Sequence, residues 1–231
     1  MAIKKKGVNK KVVFAVILLA VIVIAAAVAA VYSNQKHTST LAKVGVHIGD
    51  SFTYSITGSC SGVVPNVDYP GFYQLNDTQY YTVTVTDIHG DSVTLKIDWV
   101  FVNGTDIPQQ QTIDLGIGSM TDTSGFSFLY PSNLKVNDPI YPHMSSKVPV
   151  NETLTQTYAS GTRESAYFHV STTQAYTQDP TKTTERYLFD QIYFDRQTGM
   201  LTSFSEIQEY NNPSLELEVI YNLRSSTVWN V

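Results

Sequence analysis

The stretch SVTLKIDWVF, from Ser92 to Phe101, is the most regular in the chain. Val93, Leu95, Ile97, Trp99 and Phe101 fall on one face of an extended chain, and Thr94, Lys96 and Asp98 fall on the other, so hydrophobic and polar residues alternate from Val93 to Trp99. Such alternation of β-branched and aromatic residues is typical of a strand with one face on a core. Residues 82–86, TVTVT, alternate in the same way, and the turn DIHGD, centred on Gly90, joins the two runs. Together they predict an antiparallel hairpin.

Working outward, the same pattern recurs. Hairpins are expected around residues 159–161, around residues 195–199 and around NNP at residues 211–213. After NNP, Leu215, Leu217, Val219 and Tyr221 share one face of a strand. We expect about ten strands and, beyond residue 43, no amphipathic helix. The prediction is an all-β antiparallel meander that forms a sandwich, a barrel or a half-barrel.

An apolar segment precedes this β region. Residues 12–31 are 20 residues without a charge, proline or glycine. As a helix they would span about 30 Å, the hydrocarbon thickness of a bilayer. A secretory signal has a shorter apolar region, although the small residues Ala27, Val28 and Ala29 could serve a cleavage site. We expect an anchor, a transmembrane helix over residues 12–32, that stays in the protein.

The charges beside this segment set its orientation. Five lysines precede it, and no acidic residue does: Lys4, Lys5, Lys6, Lys10 and Lys11. The positive-inside rule places residues 1–11 in the cytoplasm. The predicted order is then a basic tail (1–11), the helix, a polar linker (33–43) and an exported β domain (44–231). After Lys11, ten basic residues stand against all 20 acidic ones, which argues against nucleic acid or anionic lipid as a partner.

Two segments interrupt the strand pattern, residues 58–77 and 116–149. Both are long and rich in Gly, Pro, Ser and aromatic residues. Loops longer than about 15 residues are uncommon in compact domains and often functional. Two interpretations stay open: surface loops that pack their own tyrosines, or a rim that faces a ligand.

No catalytic, cofactor or metal motif stands out. Cys60, inside GSCSG (58–62), has nucleophile-elbow spacing, but VVP follows where a helix would have to begin. Ser132 begins an S-x-x-K match that lacks partner motifs. No two of the five histidines have zinc-motif spacing, and Asp87 and Asp91 fit a solvated turn better than a calcium site. As the only cysteine, Cys60 can be a free thiol, a buried residue or an intermolecular bridge; we expect a free thiol.

Three sequons fit an exported domain. Asn76, Asn103 and Asn151 each begin an Asn-x-Thr triplet in a predicted turn or at a strand edge, and are candidates for N-glycosylation. Asn103-Gly104 is also a tight-turn signal, so turn chemistry alone can explain it.

Short stretches resemble known families. The run KKKG before an apolar helix resembles the processing site of archaeal type IV pilin-like proteins, but Lys10 and Lys11 would then lie in a packed filament core. The basic tail, single span and Thr- and Tyr-rich β domain look like archaeal membrane-anchored surface proteins. YFDRQTGMLTSF, residues 193–204, is similar to a hairpin of half-barrel lipid and lipoprotein carriers, a resemblance that implies a curved sheet holding acyl chains.

Three classes of function follow. The first is a membrane-anchored, non-enzymatic surface module that binds a partner or has a structural role. The second is a carrier of an apolar, lipid-like ligand. The third is an exported hydrolase that uses carboxylates. A filled core favours the first, an apolar cavity the second, and carboxylates with raised pKa that converge in a cleft the third.

Overall fold

The computed structural model describes residues 42–62, 73–121, 126–176, 184–211 and 214–231. The predicted tail and transmembrane helix, and most of the linker, lie outside these residues. The described part contains a short 3-10 helix at Tyr73–Asp77 and nine strands: β1 (Ser51–Gly62), β2 (Thr78–His89), β3 (Ser92–Phe101), β4 (Asp106–Asp114), β5 (Glu152–Tyr158), β6 (Gly161–Tyr176), β7 (Thr184–Asp195), β8 (Leu201–Asn211) and β9 (Ser214–Ser226). These residues include no helix long and apolar enough to cross a membrane.

The nine strands form one antiparallel sheet in the order β4-β3-β2-β1-β9-β8-β7-β6-β5. Two meanders, β1 to β4 and β5 to β9, join where the first and last strands pair. The all-β antiparallel prediction is confirmed, with nine strands instead of about ten. The closed-barrel alternative is wrong, since β4 and β5 are the two edges of the sheet. The hairpins predicted around Gly90, residues 159–161, residues 195–199 and NNP all form.

The hydrophobic alternation of β3 predicts its orientation correctly. Val93, Leu95 and Ile97 are fully buried on one face of the sheet, which we call the core face. Trp99 is half-buried on the same face, and its Nε1 donates a 2.7 Å hydrogen bond to Thr78 Oγ1. The opposite, outer face carries polar cross-strand pairs, among them Thr94 with Thr112. A shift of the pairing by one residue would expose the apolar side chains and bury the polar ones, so this separation of faces fixes the register.

A single long segment covers the core face. Because β4 and β5 lie at opposite edges, the connection between them, residues 115–151, has to cross eight strand spacings, roughly 38 Å at about 4.8 Å each. Its buried side chains show that it crosses on the core face: Leu115, Phe128, Leu129, Tyr130, Ile140 and Val150. The described part of the β4–β5 connection therefore supplies an internal layer through these side chains, and Tyr130 and Tyr141 pack on each other within it. Its other side is surface, since Ile117, Val136 and Met144 are exposed.

Gln111 of β4 ties this layer to the sheet. Its side chain is fully buried. The Gln111 Nε2 donates to the Phe126 carbonyl at 3.1 Å, and its Oε1 accepts from the Phe128 N–H at 3.3 Å. One amide thus satisfies two backbone groups of a segment that has few ladder hydrogen bonds of its own.

The turn between β7 and β8 is built around Asp195. This fully buried carboxylate accepts hydrogen bonds from the N–H and the hydroxyl of Thr198, both at 2.8 Å. It also forms a two-pronged ion pair with Nε and Nη2 of Arg163. Gly199 follows with φ of +79°, and a side chain there would meet the Tyr130 carbonyl oxygen at 1.9 Å. The Asp-x-x-Thr-Gly sequence thus has a structural explanation: Asp and Thr hydrogen-bond within the turn, and Gly allows the β4–β5 connection to pack closely on it.

Candidate functional site

A row of aromatic side chains runs along the outer face of β6 and β7. We call Tyr167, His169, Tyr187, Phe189 and Tyr193 the aromatic row. Neighbouring ring centroids are 4.6 Å apart between Tyr193 and Tyr167, then 6.0, 5.6 and 6.3 Å through His169 and Phe189 to Tyr187. Tyr187 is 37% exposed, and His169 is also exposed. Tyr167, Phe189 and Tyr193 are partly buried, so the row is a partly exposed ring surface, most open at His169 and Tyr187, that a ligand could contact.

The strand register explains why these rings lie together. Tyr167 is directly opposite Tyr193, so the two stack as a cross-strand pair. Along β7, residues 187, 189 and 193 share the outer face because side chains alternate with period two. Hydrogen-bonding side chains border the row, with Gln191 within β7 and Ser171 opposite Phe189. Rings and polar groups are thus interleaved on one surface.

A pocket of about 300 Å³ lies at the Tyr187 end of the aromatic row. We call it the end pocket; its lining residues are Thr173, Glu185, Tyr187, Glu209, Tyr210 and Asn211. Thr173, Tyr187 and Glu209 stand in register on β6, β7 and β8. The Asn211 side chain accepts from the Glu185 N–H at 3.1 Å and donates to the Glu185 carboxylate at 3.3 Å. The end pocket combines a ring with carboxylate, amide and hydroxyl groups.

The sheet around the end pocket is acidic. Glu209 of β8 is directly opposite Glu216 of β9, and Glu218 follows two residues later on the same face. Like charges directly opposite each other across strands are unfavourable. Neither lysine nor arginine is among the residues that line the end pocket. An anionic ligand would therefore meet repulsion there.

A second pair of carboxylates lies on the core face. Asp190 of β7 is directly opposite Glu206 of β8, and Gln208 Nε2 donates to Glu206 Oε1. Asp190 Oδ1 is buried, with no hydrogen-bond partner among the described residues. Burial, and then the charge of Glu206, raises the pKa of Asp190 to about 7. Two carboxylates so placed cannot both ionise without cost.

Two tyrosines lie near this pair, and the residues opposite it on β6 and β9 are Val170 and Val219. Burial, and then the charge of Glu206, raises the pKa of Tyr221 on β9. Burial is also the main reason that the pKa of Tyr130, in the β4–β5 connection, lies well above its usual value; the Asp190 charge adds to it. Because both tyrosines are neutral, neither of them compensates the negative charge that Asp190 and Glu206 share. A proton on the Asp190 carboxyl relieves the repulsion.

Cys60 lies on β1, half-buried, and packs against Tyr210, Leu215 and Leu217. The GSCSG sequence around it belongs entirely to β1, so it forms a strand and not the turn that a nucleophile elbow needs. Ser132 is buried and followed by Asn133 with φ of +61°, which makes the S-x-x-K match a turn.

The three sequon asparagines are exposed, and each makes local hydrogen bonds. Asn76 bonds both backbone groups of Gly58, Asn103 accepts from the Thr105 N–H, and Asn151 accepts from the His169 N–H. Their glycosylation stays a prediction. Asp87 and Asp91 lie at opposite ends of the β2–β3 turn, where Asp87 contacts His89 at 3.0 Å. The described residues contain no group of three or more His, Cys, Asp or Glu side chains placed to hold a metal.

Sequence reasoning missed the aromatic row and the Asp190–Glu206 pair. A signal for both was present in RYLFDQIYF. Aromatic residues occur there on both alternating faces, which is unusual for a strand with one solvated side. Asp190 has the same parity as Leu188 and Ile192, which places a carboxylate on the core face. No protein-family model matches the chain, and no curated protein matches it in sequence.

Proposed function

We propose that the chain is a membrane-anchored surface protein whose β domain, residues 44–231, is a non-enzymatic binding module outside the cytoplasm. The apolar segment at residues 12–32 would hold it to the membrane, with the basic tail inside. The aromatic row and the end pocket would form its contact surface. The module would need neither metal nor cofactor, since ring stacking and hydrogen bonds suffice for recognition.

One observation carries this proposal: among the described residues, the β4–β5 connection packs on the core face against β1, β2, β6 and β7, while the outer face of β6 to β8 presents rings and a pocket. Phe128 and Leu129 of the β4–β5 connection are fully buried where an apolar ligand would have to lie. A carrier would need an apolar cavity of several hundred cubic ångströms on that face. This is why we place the carrier function behind the binding module.

Accessibility to protease in intact cells tests the location. Cells would produce the full chain with one epitope before Met1 and another after Val231. We expect added protease to remove the C-terminal epitope and to spare the N-terminal one. Detergent-lysed cells, in which both epitopes are lost, are the control. Protection of the C-terminal epitope in intact cells would contradict the proposed orientation.

A hydrolase is a second candidate because Asp190 and Glu206 converge and the pKa of Asp190 is raised to about 7. A protonated Asp190 beside an ionised Glu206 could serve as acid and base. The test is a panel of nitrophenyl glycosides and esters, with D190N and E206Q as variants. Hydrolysis abolished in both variants would favour the enzyme, and hydrolysis unchanged in either would count against it.

A further inference from the structure

We propose that the end pocket and the aromatic row together bind a neutral saccharide. The inference rests on the proposed binding function and names its ligand class. A pyranose ring has an apolar C–H face that packs on aromatic rings and a rim of hydroxyls that donate and accept hydrogen bonds. The outer face of β6 to β8 offers both kinds of contact side by side.

The end pocket supplies the polar half of this recognition. Carboxylates of Glu185 and Glu209 accept hydrogen bonds from hydroxyl groups, and such charge-assisted bonds are among the stronger ones. The Asn211 amide and the Thr173 hydroxyl each both donate and accept. With Tyr187 at its side, the end pocket has the ring and the few polar groups that small-molecule pockets use to fix orientation.

The aromatic row supplies the apolar half and favours a chain over a single sugar. From Tyr187 to Tyr193, β7 runs about 20 Å at about 3.4 Å per residue. Tyr187, Phe189 and Tyr193 lie along that length, with Tyr167 and His169 beside them on β6, and neighbouring ring centroids are 4.6–6.3 Å apart. A band of rings of that length suits several sugar units of an oligosaccharide. Gln191 and Ser171 lie beside the rings, within reach of hydroxyls at the edges of such units.

Charge narrows the ligand to a neutral one. The carboxylates Glu185, Glu209 and Glu216 repel sulfated or uronic-acid chains. An organic cation would be attracted to the end pocket, but it would leave most of the aromatic row unused. We therefore commit to a neutral saccharide and make the cation an outcome of the test.

The test uses the full chain from a host without N-glycosylation, in a detergent whose headgroup is not a sugar. Maltohexaose, cellohexaose, mannohexaose, N-acetylchitohexaose and spermidine are titrated separately by calorimetry. We expect at least one hexasaccharide to bind with a Kd below about 1 mM. Y187A should weaken it at least about tenfold, and Y187F should keep most of the affinity. The matched control is Y80A, which removes a tyrosine on β2 that is 40% exposed.

Glu209 separates the two ligand classes. Since an amide still accepts hydrogen bonds from hydroxyls, E209Q should cost a saccharide only a few-fold in affinity, whereas it should abolish binding of a cation. Three results would overturn the proposal: no hexasaccharide that binds with a Kd below about 1 mM, binding that Y187A weakens less than about tenfold, or binding of spermidine alone. Any of these leaves the protease experiment, and with it the proposed location, unaffected.

Discussion

Phe128→Ala should be among the most damaging single changes in the β domain. Phe128 is fully buried in the β4–β5 connection. Its ring centroid lies 5.5 Å from that of Tyr54 on β1 and 5.4 Å from that of Tyr81 on β2. Truncating a buried Phe costs about 3–5 kcal/mol, and we expect the upper half of that range because rings on separate strands cannot all move into the space. Total stability is typically about 5–15 kcal/mol, so the loss would be large.

Equilibrium unfolding in urea of residues 42–231 measures this, with the slope m unchanged if only stability has altered. The control is Val136→Ala, in the same connection but 43% exposed, which should stay within about 0.5 kcal/mol. A loss below about 1 kcal/mol for F128A would refute the reasoning. The β4–β5 connection would then be a loose cover, and the carrier function would regain support.

Three further changes probe other features. Gly199→Ala should cost at least about 2 kcal/mol in urea unfolding, since Cβ would strike the Tyr130 carbonyl, whereas Gly90→Ala, with open space around it, should cost about 1 kcal/mol. Trp99→Ala should cost about 3 kcal/mol and Asp98→Ala less than about 0.5; equal effects would contradict the register. The pKa of Asp190 is raised to about 7 in the folded state, so the folded protein keeps a proton that the unfolded chain loses between about pH 4 and 7. Raising the pH over that range should therefore lower the free energy of unfolding of the wild type relative to D190N, by about 1–2 kcal/mol after allowing for partial exposure. Parallel pH profiles of the two proteins would contradict this.

The local parts of the fold follow from the sequence. Alternation in SVTLKIDWVF predicts the buried face of β3, and Gly90 predicts its hairpin with β2, because side-chain period and turn geometry are properties of neighbouring residues. The turn at Asp195 is predictable for the same reason. The β3 orientation and its turn depend on contacts within a single hairpin, whereas the Asp195 turn also uses Arg163 of β6 and packs on Tyr130 of the connection.

The position of the β4–β5 connection does not follow from its sequence. Phe128 is buried because β4 and β5 end up at opposite edges of the sheet, and that depends on the pairing of β1 with β9, strands far apart in the chain. The sequence of this segment, rich in Gly, Pro and Ser, has no hydrophobic periodicity that would predict its burial. Only the order of all nine strands makes it the internal layer.

The aromatic row shows the same limit. Tyr187 and Phe189 can be assigned to one face of β7 from alternation alone. Placing Tyr167 beside Tyr193 requires the register of β6 with β7. The sequence between them, residues 177–183, contains Asp-Pro, which favours a turn, but no Asn-Gly or Asp-Gly pair that would fix the register. The aromatic row therefore depends on how β6 and β7 pair, and the sequence of either strand alone does not predict it.

Native-state hydrogen exchange of the Tyr130 amide tests the central claim, a filled core face, most directly. The Tyr130 N–H donates to the Gly199 carbonyl at 2.9 Å, between the β4–β5 connection and the β7–β8 turn. If the connection is an integral layer of the core, this amide should exchange only through global unfolding, with the same free energy of opening as the slowest amides of β2 and β3. Exchange through a much smaller opening free energy, while those strands stay protected, would show that the connection lifts off independently and would contradict a permanently filled core.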